Sequence, residues 1–179
     1  SRAIILRTKN SKDLEYSKII DKLNENKEIM KNRWCDDKLN FVIPMAGAGS
    51  RFEKAGYSFP KPLIDVEGKP MIQVVVESTN MDVNFIYIVQ KSHRQKYNLD
   101  TLLNLITPNC KIVEVDGLTE GAACTVLLAK ELIDNENQLI LMNSDQLIDW
   151  DSTDFMYHMN EKNYDGSIIT FKATHPKWS

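Results

Sequence analysis

Chemistry is concentrated first in Gly47-Ala48-Gly49-Ser50-Arg51, which leaves the apolar run Phe41-Val42-Ile43-Pro44-Met45-Ala46 without a break. Glycines at such a turn let the backbone bend sharply, and they let anion oxygens approach N–H groups that a Cβ would screen. The loop is not a dinucleotide fingerprint, because GxGxxG needs glycine where Phe52 stands. It is not a P-loop either, since no Gly-Lys-Ser/Thr follows. It reads as an anion cradle of another kind, with the Arg51 guanidinium built in. Lys61 follows between Pro60 and Pro62. Two prolines stiffen that backbone, so the ammonium is presented from a fixed place. The third group is Asp145, after the apolar run Leu139-Ile140-Leu141-Met142. A carboxylate beyond a strand is placed to hold Mg²⁺, which takes oxygen ligands and shares them between carboxylates and phosphates. Asp149 and Asp151 read as loop and cap residues.

These groups must be carried by a scaffold. Short apolar runs at 41–45, 85–90, 111–115, 138–142 and 167–172 read as strands, several apolar almost throughout, as strands covered on both faces are. Helical spacing lies between them, at 71–78, 93–106, 120–133 and 153–161. Alternation of this kind predicts an α/β fold: a Rossmann-like three-layer sandwich around a mainly parallel sheet. Ligands of such sheets bind beyond the carboxyl ends of the strands, where the glycine loop and Asp145 both fall. Residues 1–38 differ. Leu14, Ile19, Ile20, Leu23, Ile29 and Met30 recur at helical spacing before the polar stretch Cys35-Asp36-Asp37-Lys38. The expected organisation is a helical extension or linker over 1–38 and a core over 39–179.

The order Gly-x-Gly-Ser-Arg-Phe, Pro-Lys-Pro-Leu and Gly-Lys-Pro-Met-Ile (68–72) resembles the sugar-1-phosphate nucleotidyltransferase family. The likeness extends through Val115-Asp116-Gly117-Leu118-Thr119-Glu120-Gly121-Ala122, similar to the family's nucleobase loop, and the strand before Asp145. It covers roughly 40–179. It implies a fold of the nucleotide-diphospho-sugar transferase type, here C-terminally incomplete, because relatives take a second metal-binding aspartate from a later strand. It also implies in-line attack of a phosphomonoester on the α-phosphorus of an NTP, releasing pyrophosphate, with Mg²⁺ as cofactor. Sugar nucleotides made this way feed surface polysaccharide or glycoconjugate synthesis.

The resemblance assigns roles. The backbone from Ala46 and Gly47 through Ala48, Gly49 and Ser50 holds the triphosphate. Arg51 stabilises the departing pyrophosphate, Lys61 neutralises phosphates at the reacting centre, and Asp145 holds the metal. Asp116, Gly117 and Glu120 belong to the base loop, Gly117 letting the base lie flat. Thr119 and Glu120 fit base contact or helix capping alike. Members selecting thymidine triphosphate carry glutamine five residues before that glycine; Ile112 stands there, which leaves cytosine, uracil or a purine. His175 reads as structural, since an anionic phosphomonoester needs no base. The rival readings are a glycosyltransferase on the same sheet, a non-catalytic nucleotide module, and a guanylyl-transferring cofactor enzyme of related fold.

Composition narrows the partners. A net charge of -3 lacks the basic excess of a nucleic-acid binder. Cys35, Cys110 and Cys124 form no CxxC pair, so reduced thiols are expected rather than zinc. No stretch approaches the ~20 apolar residues a membrane span needs. The expected partners are an NTP and a phosphorylated small molecule, in the cytoplasm, with no nucleic acid and no membrane; a homo-oligomer is left open.

Overall fold

The computed structural model describes residues 33–47, 59–162 and 164–170. The helix expected before Trp34 lies outside them. Four parallel strands form the main sheet: β1 (Trp34–Pro44), β4 (Met81–Gln90), β5 (Lys111–Val115) and β6 (Leu139–Leu141), in the spatial order β5-β4-β1-β6. A two-stranded hairpin, β2 (Asp65–Val66) with β3 (Lys69–Pro70), lies between β1 and β4 in sequence.

Side-chain parity along β1 and β4 builds the layers. Leu39, Phe41 and Ile43 share one face with Phe85, Tyr87 and Val89. They pack against Ile72, Val75 and Val76 of α1 (Met71–Thr79), Leu99 and Leu103 of α3 (Leu99–Ile106), and Met156 of α6 (Ser152–Lys162). Val42, Ile86 and Ile88 take the opposite face. There they meet Val126 of α4 (Ala122–Leu127), Ala129, and Leu132 and Ile133 of α5 (Lys130–Ile133). Both faces are therefore covered, which explains why β1 and β4 are apolar in succession rather than alternately. Burying a side chain of the size of Phe41 or Ile86 contributes roughly 1.5–3 kcal/mol.

The connections make a switch point. The chain steps from β1 to β4 to β5 with α1, α2 (Lys91–Lys96) and α3 between them, then crosses back through α4 and α5 to place β6 on the other side of β1. The strand order reverses at β1, and a crevice opens between the carboxyl ends of β1 and β6.

Several expectations are corrected. β1 begins at Trp34, so the polar stretch 35–38 forms strand ahead of the expected boundary at 38. A register irregularity between Asp36 and Asn40 accommodates it. The helix expected over 93–106 is two helices, because Asn98 adopts the left-handed conformation (φ 48), which asparagine tolerates better than most residues. The helix over 120–133 is also divided. Ala129 N–H reaches the Val126 carbonyl at 3.0 Å and Leu132 N–H the Ala129 carbonyl at 2.9 Å, tightening the backbone to three-residue bonds between α4 and α5. Over 167–170 no strand forms. Ile168 and Ile169 have the composition of one, but β-propensity supplies no ladder partner. β6 is also less covered than its sequence suggested, with Leu139 41% and Leu141 55% exposed.

Candidate nucleotide site

The crevice is a cleft of about 250 Å³ between Pro44 at the end of β1, Ala122, Ala123 and Val126 of α4, and Leu141, Met142, Asn143 and Gln146 at the end of β6. Its walls are small and flat on the α4 side and polar where the chain leaves β6. A larger, mainly apolar cavity of about 570 Å³ runs along β6 toward Trp150, Met159 and Ile168. The smaller cleft lies next in sequence to residues singled out for chemistry: its lining residues Asn143 and Gln146 flank Asp145, and Pro44 precedes Ala46 and Gly47.

Lys61 opens a single tight turn, Lys61–Leu63, entered from an extended Pro60 (φ -55, ψ 147) and anchored by buried Pro62. Leu63 N–H donates to the Pro60 carbonyl at 2.8 Å. Behind the turn, Glu67 (φ 53) and Gly68 (φ 85) join β2 to β3 in a two-residue turn with both central residues left-handed, the form that suits hairpins and favours glycine. Asp65 accepts the Gly68 N–H at 3.2 Å, and Met71 N–H donates to the Ile64 carbonyl at 2.9 Å as α1 begins.

From this support the Lys61 ammonium donates to the carboxylate of Asp145. The two side chains are 34% and 27% exposed, so the pair lies at the rim with water access. Asp145 lies beyond its strand, as the run 138–142 suggested. β6 ends at Leu141, and Asp145 sits in the turn that follows. Beyond it, Asp151 accepts the Asp154 N–H at 2.9 Å and caps α6, as its sequence position suggested.

The glycine loop begins on β1. Ala46 is buried, and its carbonyl accepts the Gln90 carboxamide at 2.8 Å; Gly47 is exposed. Ala48, Gly49, Ser50 and Arg51 lie outside the described residues, as does His175. Across the sheet, β5 ends at Val115 and delivers Asp116 and Gly117 (φ 85). Only glycine adopts that conformation readily. The Asp116 side chain is 87% exposed, 4.0 Å from the Lys91 ammonium. Glu120 is exposed, and Gly121 rather than Thr119 or Glu120 occupies the N-cap of α4, with no side-chain cap bond. The Thr119 hydroxyl instead meets that of Thr125 at 2.5 Å, so the capping alternative does not hold. Just behind this loop, Arg94 grips Asp100 through two bonds (2.8 and 2.5 Å) and Glu114 of β5 at 3.1 Å. The Arg94 hydrogen bonds hold the Asp100 carboxyl below the usual carboxylate range.

The start of the glycine loop thus follows β1 and the Asp145 partner of Lys61 follows the neighbouring β6, both at the carboxyl edge of the sheet, with the base-loop segment after β5, two strands from β1. Gln90 was not singled out from sequence, although a polar residue closing the apolar run Phe85–Val89 at the carboxyl edge was a visible signal. Among the described residues no group of three or more metal-ligating side chains occurs; Asp145 supplies one partly exposed carboxylate of the oxygen-donor kind Mg²⁺ takes.

Comparison with known proteins bears on the family and the fold. A model of the nucleotidyl transferase family matches residues 41–177. The bifunctional protein GlmU of Methanocaldococcus jannaschii is 30% identical over 118 residues, 66% of this chain and 28% of that protein. Among solved structures, a nucleoside-diphosphate-sugar pyrophosphorylase from Vibrio cholerae is 30% identical with TM-score 0.51, covering 59% of this chain and 47% of that one. UTP-bound UGPase from Acinetobacter baumannii, 22% identical, shares the fold with TM-score 0.52 over 69% of this chain and 53% of its own. The chain spans less than a third of the length of the curated relative and about half that of the two solved structures.

Proposed function

Because the chain belongs to the nucleotidyl transferase family, we propose that its switch-point cleft binds the polyphosphate of an NTP. On this reading it transfers the nucleotidyl group to a sugar phosphate or similar phosphomonoester, and pyrophosphate leaves. The observation that carries the reading is the meeting of Lys61 and Asp145 beside the carboxyl end of β1, where the glycine loop starts.

The chemistry asks for positioning and charge neutralisation more than for proton transfer. A phosphomonoester dianion is already a nucleophile; the obstacle is bringing it to another polyanion. On this reading backbone N–H groups from Gly47 onward hold phosphate oxygens. Lys61 supplies positive charge at the reacting phosphorus, from a turn too stiff to retreat. Arg51 stabilises the leaving pyrophosphate. Asp145 would hold Mg²⁺, which when bound neutralises and orients phosphate oxygens. Asp116, Gly117 and Glu120 border the base and ribose. Ile112 in place of glutamine disfavours a thymidine nucleotide, and the product is a nucleotide-activated small molecule of the kind consumed in glycoconjugate synthesis.

The test is pyrophosphate release. The protein is incubated with each NTP, Mg²⁺ and a panel of sugar phosphates and other phosphomonoesters. One NTP with one acceptor should release pyrophosphate stoichiometrically with a nucleoside-diphosphate product. If no pair reacts while an NTP still binds, the reading as an enzyme is overturned in favour of a nucleotide-binding module.

A further inference from the structure

The carboxamide of Gln90 makes a bond whose consequence lies on the far side of a peptide plane. Along β1, even-numbered residues turn their backbone toward β6: Asn40 N–H donates to the Gln138 carbonyl at 2.9 Å, and the Val42 carbonyl accepts Met142 N–H at 3.1 Å. Odd-numbered residues turn toward β4, and Met45 N–H still donates to the Ile88 carbonyl at 2.7 Å. By this alternation the Ala46 carbonyl should face β6. It is held instead by Gln90 Nε2 from the end of β4. The peptide unit joining Ala46 to Gly47 has therefore rotated out of ladder geometry, at the residue where the glycine loop starts.

A trans peptide is planar, and its C=O and N–H point in opposite directions. No cis bond occurs among the described residues. Holding the Ala46 carbonyl toward Gln90 therefore fixes the Gly47 N–H pointing away from it. We propose that Gln90 is a positioning residue for the polyphosphate: its bond to Ala46 aims the Gly47 N–H into the cleft as a phosphate donor. This rests on the reading that the cleft binds an NTP. Gln90 touches no reacting atom. It acts by removing a rotational freedom that Gly47, lacking a Cβ, would otherwise keep. Only a donor can do this; a carboxylate in the same place would be set against the carbonyl oxygen.

Gln90 is also paired in register with Val115, directly before Asp116 and Gly117, so an effect through the base loop is the competing outcome. The two are separated by a ligand series. Wild type, Gln90→Glu and Gln90→Met are titrated with the NTP that the wild type binds best, and with the corresponding nucleoside, while thermal midpoints report folding. Loss of an N–H to an anionic oxygen should weaken NTP binding about tenfold or more. Nucleoside binding should stay within about twofold, with midpoints unchanged. Equal losses for NTP and nucleoside would assign Gln90 to the base loop and overturn the proposal, as would unchanged NTP affinity in both variants or loss of folding in both. A wild type that binds no NTP would sink the functional reading itself, and that result appears before any variant is made.

Discussion

Lys61 and Asp145 stand 84 positions apart in sequence and share a hydrogen-bonded ion pair in the turn that follows β6. Partly exposed pairs of this kind contribute at most about 1 kcal/mol to stability, because water screens both charges. On the proposed function, their role is in ligand chemistry rather than in folding. Lys61→Ala and Asp145→Ala should each shift the thermal midpoint by no more than a few degrees. Each should lower nucleotidyl transfer by about a hundredfold or more, the scale of removing one preorganised charge-stabilising group. Steady-state pyrophosphate release alongside a melting curve checks both. A variant that melts normally and keeps full turnover would remove that residue from the chemistry.

The same pair makes a prediction about divalent cations. While Lys61 neutralises Asp145, the carboxylate is a weaker anion for a metal to find. Lys61→Met should therefore bind Mn²⁺, a spectroscopic stand-in for Mg²⁺, more tightly than wild type in the absence of nucleotide. Asp145→Asn should lose that binding in either background. Titration by electron paramagnetic resonance reads free Mn²⁺ directly and does not depend on turnover. Chelation with EDTA should in turn abolish pyrophosphate release and be reversed by added Mg²⁺.

The scaffold was legible in the chain where one physical rule acted alone. Phe41–Ile43 and Phe85–Val89 are apolar without alternation, and they are the strands buried on both faces. The break at Asn98 was not legible, because helical spacing of apolar residues continues through it while the backbone of Tyr97 (φ -110, ψ 8) and left-handed Asn98 divides α2 from α3. Ile168 and Ile169 failed for a different reason: β-propensity describes a side chain's fit to a sheet and says nothing about a neighbour's free edge. At the site, residue types suggested Lys61 and Asp145 separately. Their contact arises from the crossover that returns β6 beside β1, which no local pattern records. A polar residue closing the run at Gln90 was visible, but its bond to the Ala46 carbonyl was not, because backbone orientation has no signature in residue type.

A buried polar relay joins the sheet to the crossover and makes a stability prediction. Asn40 is fully enclosed. Its carboxamide oxygen accepts from Asn84 of β4 at 2.6 Å, and its nitrogen donates toward Asn135, at 3.4 Å, in the segment entering β6. Asn40→Ala leaves both partners short of a bond and should cost about 1–3 kcal/mol. For a domain of this size that lowers the melting temperature by several degrees, at roughly 2–4 °C per kcal/mol. Asn84→Ala should give a similar loss. The double variant should lose less than the sum, because the two residues share one bond. Chemical denaturation of the four proteins closes the cycle, and additive losses would show that the relay does not couple the strands.

Arg94 predicts a pH dependence with a definite sign. Its guanidinium makes two hydrogen bonds to Asp100 and an ion pair with Glu114, tying α2 to α3 and to the end of β5 behind the base loop. Those bonds hold the folded Asp100 carboxyl below its ordinary range, against the opposing effect of desolvation. A carboxyl depressed in the folded state stabilises the protein fully above its unfolded pKa, near 3.9. That contribution disappears as pH falls through the lower folded value. Wild type should therefore melt above Asp100→Asn at pH 7, and the gap should narrow progressively below about pH 4. Because the Asp100 side chain is about half exposed, the gap should also shrink in high salt. Melting curves from pH 7 down to pH 3, in low and high salt, check both dependences. A gap that widens in acid would mean that the neutral carboxyl, rather than the carboxylate, is the form the fold prefers.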